Sequence, residues 1–145
     1  MKILVDADAC PVKDEVIKIA SKYSLKVIMF IDTSHILTSD YAEIVTVEKG
    51  RDSVDIKLAN HIEKGDIVVT QDYGVATMAL AKSSFALNQN GLVYDNDNID
   101  RLLFERHLGQ KIRRGGGKTS SVKKRTKEDN LKFEKAFEDL IKAHL

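Results

Sequence analysis

At 145 residues with a formal net charge of +1, the chain suits one domain with its own core and needs no cross-links to hold it together. A single cysteine excludes an internal disulfide and fits a reducing compartment. No apolar run is long enough for a membrane span, and the first residues enter a strand pattern instead of a signal peptide, so no membrane partner and a cytoplasmic location are expected.

The near-zero net charge hides an asymmetry. Between Gln110 and Lys127 stand Lys111, Arg113, Arg114, Lys118, Lys123, Lys124, Arg125 and Lys127 with no acid among them. The rest of the chain is acidic on balance. Such segregation points to a polyanion held by one part and an acidic centre in another.

In chain order, Ile3 to Val5 reads as a strand buried on both faces, followed at once by Asp6 and Asp8 and then by Pro11, which suits the first turn of a helix. Ligands of open α/β sheets sit beyond the carboxyl ends of strands, so this pair is a candidate site. The plainer alternative makes Asp8 a helix cap and Asp6 a turn residue. Val12, Val16, Ile19, Ala20 and Tyr23 continue at helical spacing. Lys26 to Ile31 predicts a second buried strand, a polar connection follows, and Ile44 to Val47 predicts a third. Gly50-Arg51-Asp52-Ser53 turns into a helix running roughly from Ser53 to Glu63 and closed by Gly65.

At about 100° per residue, Val54, Leu58, Ala59 and Ile62 form one face of that helix, and Asp55 falls inside it. A carboxylate there needs a cation, a partner or a proton, as a structural ion pair or as a metal ligand. Asp52 reads as the helix cap or a further ligand. Asp66 to Thr70 predicts the next strand, and Asp72 repeats behind it the position of Asp6. A helix carrying Val75, Met78, Ala79 and Lys82 comes next. Phe85–Leu87 and Leu92–Tyr94 predict a short antiparallel hairpin about Asn88-Gln89-Asn90-Gly91. A helix starting at Asp97 or Asn98 carries Ile99, Leu102, Leu103 and Arg106, with Gly109 as its expected end.

The organisation read from this is an α/β core over 1–109, a basic Gly-rich flexible loop over 110–126, and an amphipathic helix over 127–145. Thr126 to Asp129 resembles a capping box, and the helix sets Phe133, Phe137, Leu140, Ile141 and His144 on one side. That stripe packs on the same domain or on a second copy, which leaves a homodimer through this helix open.

Four acids drawn to one sheet edge without lysines between them must bind protons or a cation. Carboxylate oxygens suit Mg²⁺ or Mn²⁺, which neutralise phosphate and lower the pKa of a bound water, whereas no His–Cys spacing here fits zinc. The basic run can hold a phosphodiester backbone, and Arg51 and Tyr73 stand beside candidate ligands to grip a phosphate or stack on a base. Gly115-Gly116-Gly117-Lys118-Thr119 lacks the Walker spacing and a leading strand, which excludes a nucleoside-triphosphate loop. Cys10 reads as a small buried residue, and the four histidines form no pattern.

The blocks Asp6-Ala7-Asp8-Ala9-Cys10-Pro11-Val12, Gly50-Arg51-Asp52-Ser53-Val54-Asp55, Thr70-Gln71-Asp72-Tyr73-Gly74 and Arg113-Arg114-Gly115-Gly116-Gly117-Lys118 together resemble the bacterial YaiI/YqxD family over nearly the whole chain. That family is grouped with PIN-like and NYN-type domains. The resemblance implies a PIN-like three-layer α/β/α fold with a mainly parallel sheet. It also implies a Mg²⁺- or Mn²⁺-dependent nuclease acting on nucleic acid, RNA before DNA. In that reading Asp6, Asp8, Asp55 and Asp72 are catalytic metal ligands, and Arg51, Tyr73, Arg113, Arg114 and Lys118 bind the nucleic acid.

Two alternatives stand beside it. Strand-Asp6-Ala7-Asp8 also resembles a haloacid-dehalogenase-like phosphatase, with Asp6 as nucleophile and Thr33 or Ser34 as phosphate-binding hydroxyl. A non-catalytic RNA-binding module would need only the basic segment.

Overall fold

The computed structural model describes residues 1–49, 53–116 and 123–145. Gly50, Arg51, Asp52 and the stretch containing Lys118 therefore lie outside the described residues. Five strands, β1 (Ile3–Asp6), β2 (Val27–Asp32), β3 (Glu43–Val47), β4 (Ile67–Val69) and β5 (Phe85–Leu87), form one parallel sheet in the order β3-β2-β1-β4-β5. The helices are α1 (Lys13–Lys22), α2 (Val54–His61), α3 (Tyr73–Ala81), α4 (Asn96–Arg114) and α5 (Lys127–His144).

The apolar runs explain the layering. Successive side chains of a strand point to opposite faces, so an unbroken run supplies both. Ile3, Val5, Met29, Val69 and Leu87 join α1 and α5 on one side, while Leu4, Ile28, Phe30, Val68 and Ala86 join α2, α3 and the start of α4 on the other. The result is the three-layer α/β/α arrangement. No helix among the described residues is long and apolar enough to cross a membrane.

The last helix belongs to this domain. Phe133, Phe137 and Ile141 are fully buried in the α1-side core, the two phenyl rings stacked at 5.4 Å, and each such burial contributes about 2 kcal/mol. Lys18–Glu134 and Lys22–Glu138 ion pairs tie α5 to α1 along its rim. The apolar stripe is thus consumed within the chain, which removes the basis for expecting a homodimer through it. Gly91 sits at φ +85°, and a Cβ there would stand 2.9 Å from the Lys132 carbonyl oxygen; the absent side chain lets the 88–91 turn lie against α5.

Three boundaries differ from expectation. The hairpin after β5 reduces to one antiparallel bridge, Leu87 to Val93, on the edge of β5 that β4 leaves free. Ser53, whose hydroxyl accepts from the Ile56 N–H at 3.2 Å, caps α2 in place of Asp52. Finally, α4 does not stop at Gly109 but runs on to Arg114. One helical glycine costs only about 1 kcal/mol, and Lys111, Arg113 and Arg114 in the last turn complement the helix dipole. The first residues assigned to a flexible loop are therefore helical.

Candidate metal and nucleic-acid site

The chain lays β1, β2 and β3 outward in one direction and then returns past β1 to place β4 and β5 on its other side. The connections therefore diverge above β1 and β4, which opens a crevice at their carboxyl ends. Asp6 is the last residue of β1, and Thr70 and Asp72 directly follow β4.

Thr70, itself buried, organises this point. Its hydroxyl donates to Asp6 Oδ2 at 3.1 Å and accepts the Asp72 N–H at 3.0 Å. Asp6 is pushed up to about 6, chiefly by burial, with the charges of Asp55, Asp72 and Asp8 acting in the same direction and the Thr70 hydrogen bond opposing. Asp72 Oδ1 accepts from the Gly74 and Val75 N–H groups at 2.7 and 3.1 Å and so caps α3. Asp55, in the first turn of α2 and half-buried, stands close enough to Asp72 for their charges to interact; burial, then the Asp72 charge, raises its pKa.

Asp8 caps nothing, since α1 has no side-chain cap. Its Oδ1 accepts the Asp32 N–H at 3.2 Å and lies 3.0 Å from His35 Nδ1. Asp32 ends β2 as Asp6 ends β1, and its carboxyl is held low first by the hydrogen bonds it accepts from Ser34, then by His35. Among the described residues, Asp8, Asp32 and His35 are the group whose donor atoms all lie within 4.8 Å of one another, a set that could hold a metal ion. Asp6, Asp55 and Asp72 stand near one another but do not close into so compact a set.

No lysine or arginine among the described residues pairs with Asp6, Asp8, Asp55 or Asp72. Carboxylates that no lysine or arginine pairs with among the described residues, with Asp6 and Asp55 holding their protons more tightly than usual, are the donor chemistry a hard divalent cation fits.

Above the acids opens a cleft of about 720 Å³, floored by Asp6, Asp8 and Asp72 and walled on the far side by Arg106 and Arg113 of α4, with Tyr73 at one flank. The two arginines are two helical turns apart and so share a face of α4. Glu105, also on this wall, is paired with Arg101 at 3.2 Å. Of the expected nucleic-acid contacts, Tyr73 and Arg113 line the cleft; Arg114 is exposed and does not line it, and Arg51 and Lys118 are outside the described residues.

Sequence reasoning missed Asp32, His35, Thr70 and Arg106. Asp32 repeats the strand-end signal that marked Asp6, and Arg106 lies on the expected helix but carries no local sign of which face meets the acids. His35 has no local signal. The hydroxyls proposed for a phosphatase are both engaged: Ser34 Oγ donates to Asp32, and Thr33 Oγ1 accepts the Lys49 N–H at 3.2 Å.

The family described as "Uncharacterized BCR, YaiI/YqxD family" matches residues 4–143. The chain belongs to the YaiI/YqxD family. A UPF0178 protein of Ruminiclostridium cellulolyticum is similar at 64% identity, over 98% of this chain and 93% of the relative. One from Alkaliphilus oremlandii matches at 62% identity over 93% and 87%, and one from Clostridium tetani at 53% over 97% and 94%. Among solved structures, that of Rae1 (YacP) from Bacillus subtilis is similar over 99% of both chains, with 19% identity and a TM-score of 0.44.

Proposed function

We propose that this YaiI/YqxD member is a cytoplasmic, divalent-metal-dependent nuclease that hydrolyses phosphodiesters, with RNA the preferred substrate over DNA. The observation that carries the reading is a carboxylate cluster at the sheet's switch point that no lysine or arginine among the described residues pairs with, in an open cleft also lined by Arg106 and Arg113. Asp6, Asp55 and Asp72, with Asp8 beside them, would hold Mg²⁺ or Mn²⁺; the Asp8–Asp32–His35 group offers an adjoining position. A bound cation there supplies charge neutralisation at the phosphate and makes water a stronger nucleophile near neutral pH.

The protein's own groups do the rest. Thr70 fixes Asp6 and the Asp72 backbone in one arrangement, so neither pays to reorganise when substrate enters. Arg106 and Arg113 take the strand's phosphates from the opposite wall, and Tyr73 offers a ring for a base. With Ser34 donating to Asp32, and Asp66 at the amino end of β4 instead of beside Asp6, a phosphoaspartate mechanism through Asp6 has the weaker support.

The test is cleavage of end-labelled RNA and DNA of matched sequence with Mn²⁺ or Mg²⁺. Metal-dependent cleavage, lost with chelator and in Asp6→Asn and Asp72→Asn, is the expected result. A trapped phosphorylated Asp6 would favour the phosphatase, and salt-sensitive RNA binding that survives both changes without turnover would favour a binding module.

A further inference from the structure

A second groove, of about 520 Å³, begins where the acidic cleft ends. Gln71 lines both, its side-chain Nε2 anchored on the Ala9 carbonyl at 2.9 Å. From Gln71 the second groove runs past Pro11 and Asn90 to Lys123 and Lys124. Its basic wall is held by Arg125, whose guanidinium donates to Asn130 Oδ1 at 2.7 Å and to Asn90 Oδ1 at 2.6 Å. Arg125 is therefore spent on fastening the 123–126 segment to the 88–91 turn. The groove's one carboxylate, Asp129, is likewise engaged, accepting from the Thr126 N–H at 2.8 Å and from its hydroxyl. Lys123 and Lys124 are exposed and have no acidic partner among the described residues.

We propose that the Lys123–Lys124 groove is a second subsite for the phosphodiester backbone, through which a single strand passes after crossing Gln71 from the acidic cleft. This rests on the nucleic-acid reading of that cleft. Two ammonium groups on an anchored backbone, with amides beside them and the groove's one carboxylate held by Thr126, recognise phosphates without reading sequence. The subsite meets the acidic cleft at Gln71, and Arg106 and Arg113 line that cleft but not this groove, so a strand would have a second set of phosphate contacts beyond the cleft. Affinity should therefore depend on substrate length, with a dinucleotide filling the acidic cleft and only longer strands reaching the lysines.

The test is binding of fluorescein-labelled oligouridylate, long and dinucleotide, across a salt series in the absence of divalent metal, for wild type and Lys123→Ala/Lys124→Ala. Each phosphate contact on a single strand contributes about 0.7 to the slope of log affinity against log salt. The double variant should lower that slope by about 1.4 for the long strand and leave the dinucleotide unchanged, with Lys123→Arg/Lys124→Arg restoring it. An unchanged slope, an equal loss on both lengths, or no binding by wild type would overturn the subsite, and so would a groove that answers only to acidic peptide. Should wild type never cleave RNA while the length-dependent slope change persists, the nuclease reading falls and the subsite stands.

Discussion

The two ends of the central sheet each carry an acid at least partly withdrawn from water, Asp66 buried and Asp6 half-buried, and they treat it in opposite ways. At the amino end Asp66 is almost fully covered yet wholly compensated, its carboxylate meeting Lys2 Nζ at 2.6 Å, the Lys2 N–H at 3.0 Å and the Glu63 N–H at 2.8 Å. At the carboxyl end Asp6 has, among the described residues, the Thr70 hydroxyl as its side-chain donor, and three more acids beside it. Burial of a charge costs several kcal/mol unless it is paired. Under the proposed function, the acid left in a like-charge cluster is the one that a bound cation would neutralise.

Four changes sharpen this contrast. The largest effect is expected at the carboxyl end: Asp6→Asn or Asp72→Asn should lower metal-dependent RNA cleavage by roughly 10³-fold or more, the scale seen when one member of a catalytic unit is removed. Gel assays on both variants check this. Next, Lys2→Met strands Asp66 without its cation and should cost about 3 kcal/mol in urea denaturation, with cleavage per folded molecule unchanged.

A third test uses pH. Asp6 holds its proton more tightly folded, at about 6 against an ordinary 3.8. Its contribution to stability is therefore fully present below about pH 4 and lost as pH rises through about 6, up to about 3 kcal/mol in metal-free protein. Denaturation from pH 4 to pH 8 without metal should show this decline, and Asp6→Asn should flatten it and be the more stable protein at the alkaline end. Equal slopes in the two proteins would remove the account of Asp6. The smallest effect is expected at Glu63, the exposed arm of the Lys2 bridge; Glu63→Gln should shift stability by about 0.5 kcal/mol or less.

The sheet was legible because its strands are unbroken apolar runs whose ends are marked by acids, and the capping boxes and turns punctuate them clearly. Legibility failed where a local signal lost to a tertiary one. Gly109 reads as a helix stop, but the residues beyond it favour a helix that continues along the cleft, and with it Arg113 lines the site from α4. Asp72 was read only as a candidate ligand, yet it also caps α3, because the first turn after a strand and the first turn of a helix are here the same residues. His35 and Asp8 are brought together by sheet topology alone, which no spacing in the chain encodes. The apolar face of α5 announced its burial but not against what, since an amphipathic stripe is the same whether it meets its own core or another copy.

The central claim is that the carboxylates at the carboxyl end await a divalent cation. Mn²⁺ titration followed by the free-ion electron paramagnetic resonance signal tests it most directly, independently of any substrate. Wild type should deplete the signal saturably near neutral pH, and Asp6→Asn and Asp72→Asn should each weaken binding by about tenfold or more. A wild-type protein that leaves the signal untouched, or variants that bind Mn²⁺ as tightly as wild type, would contradict the account.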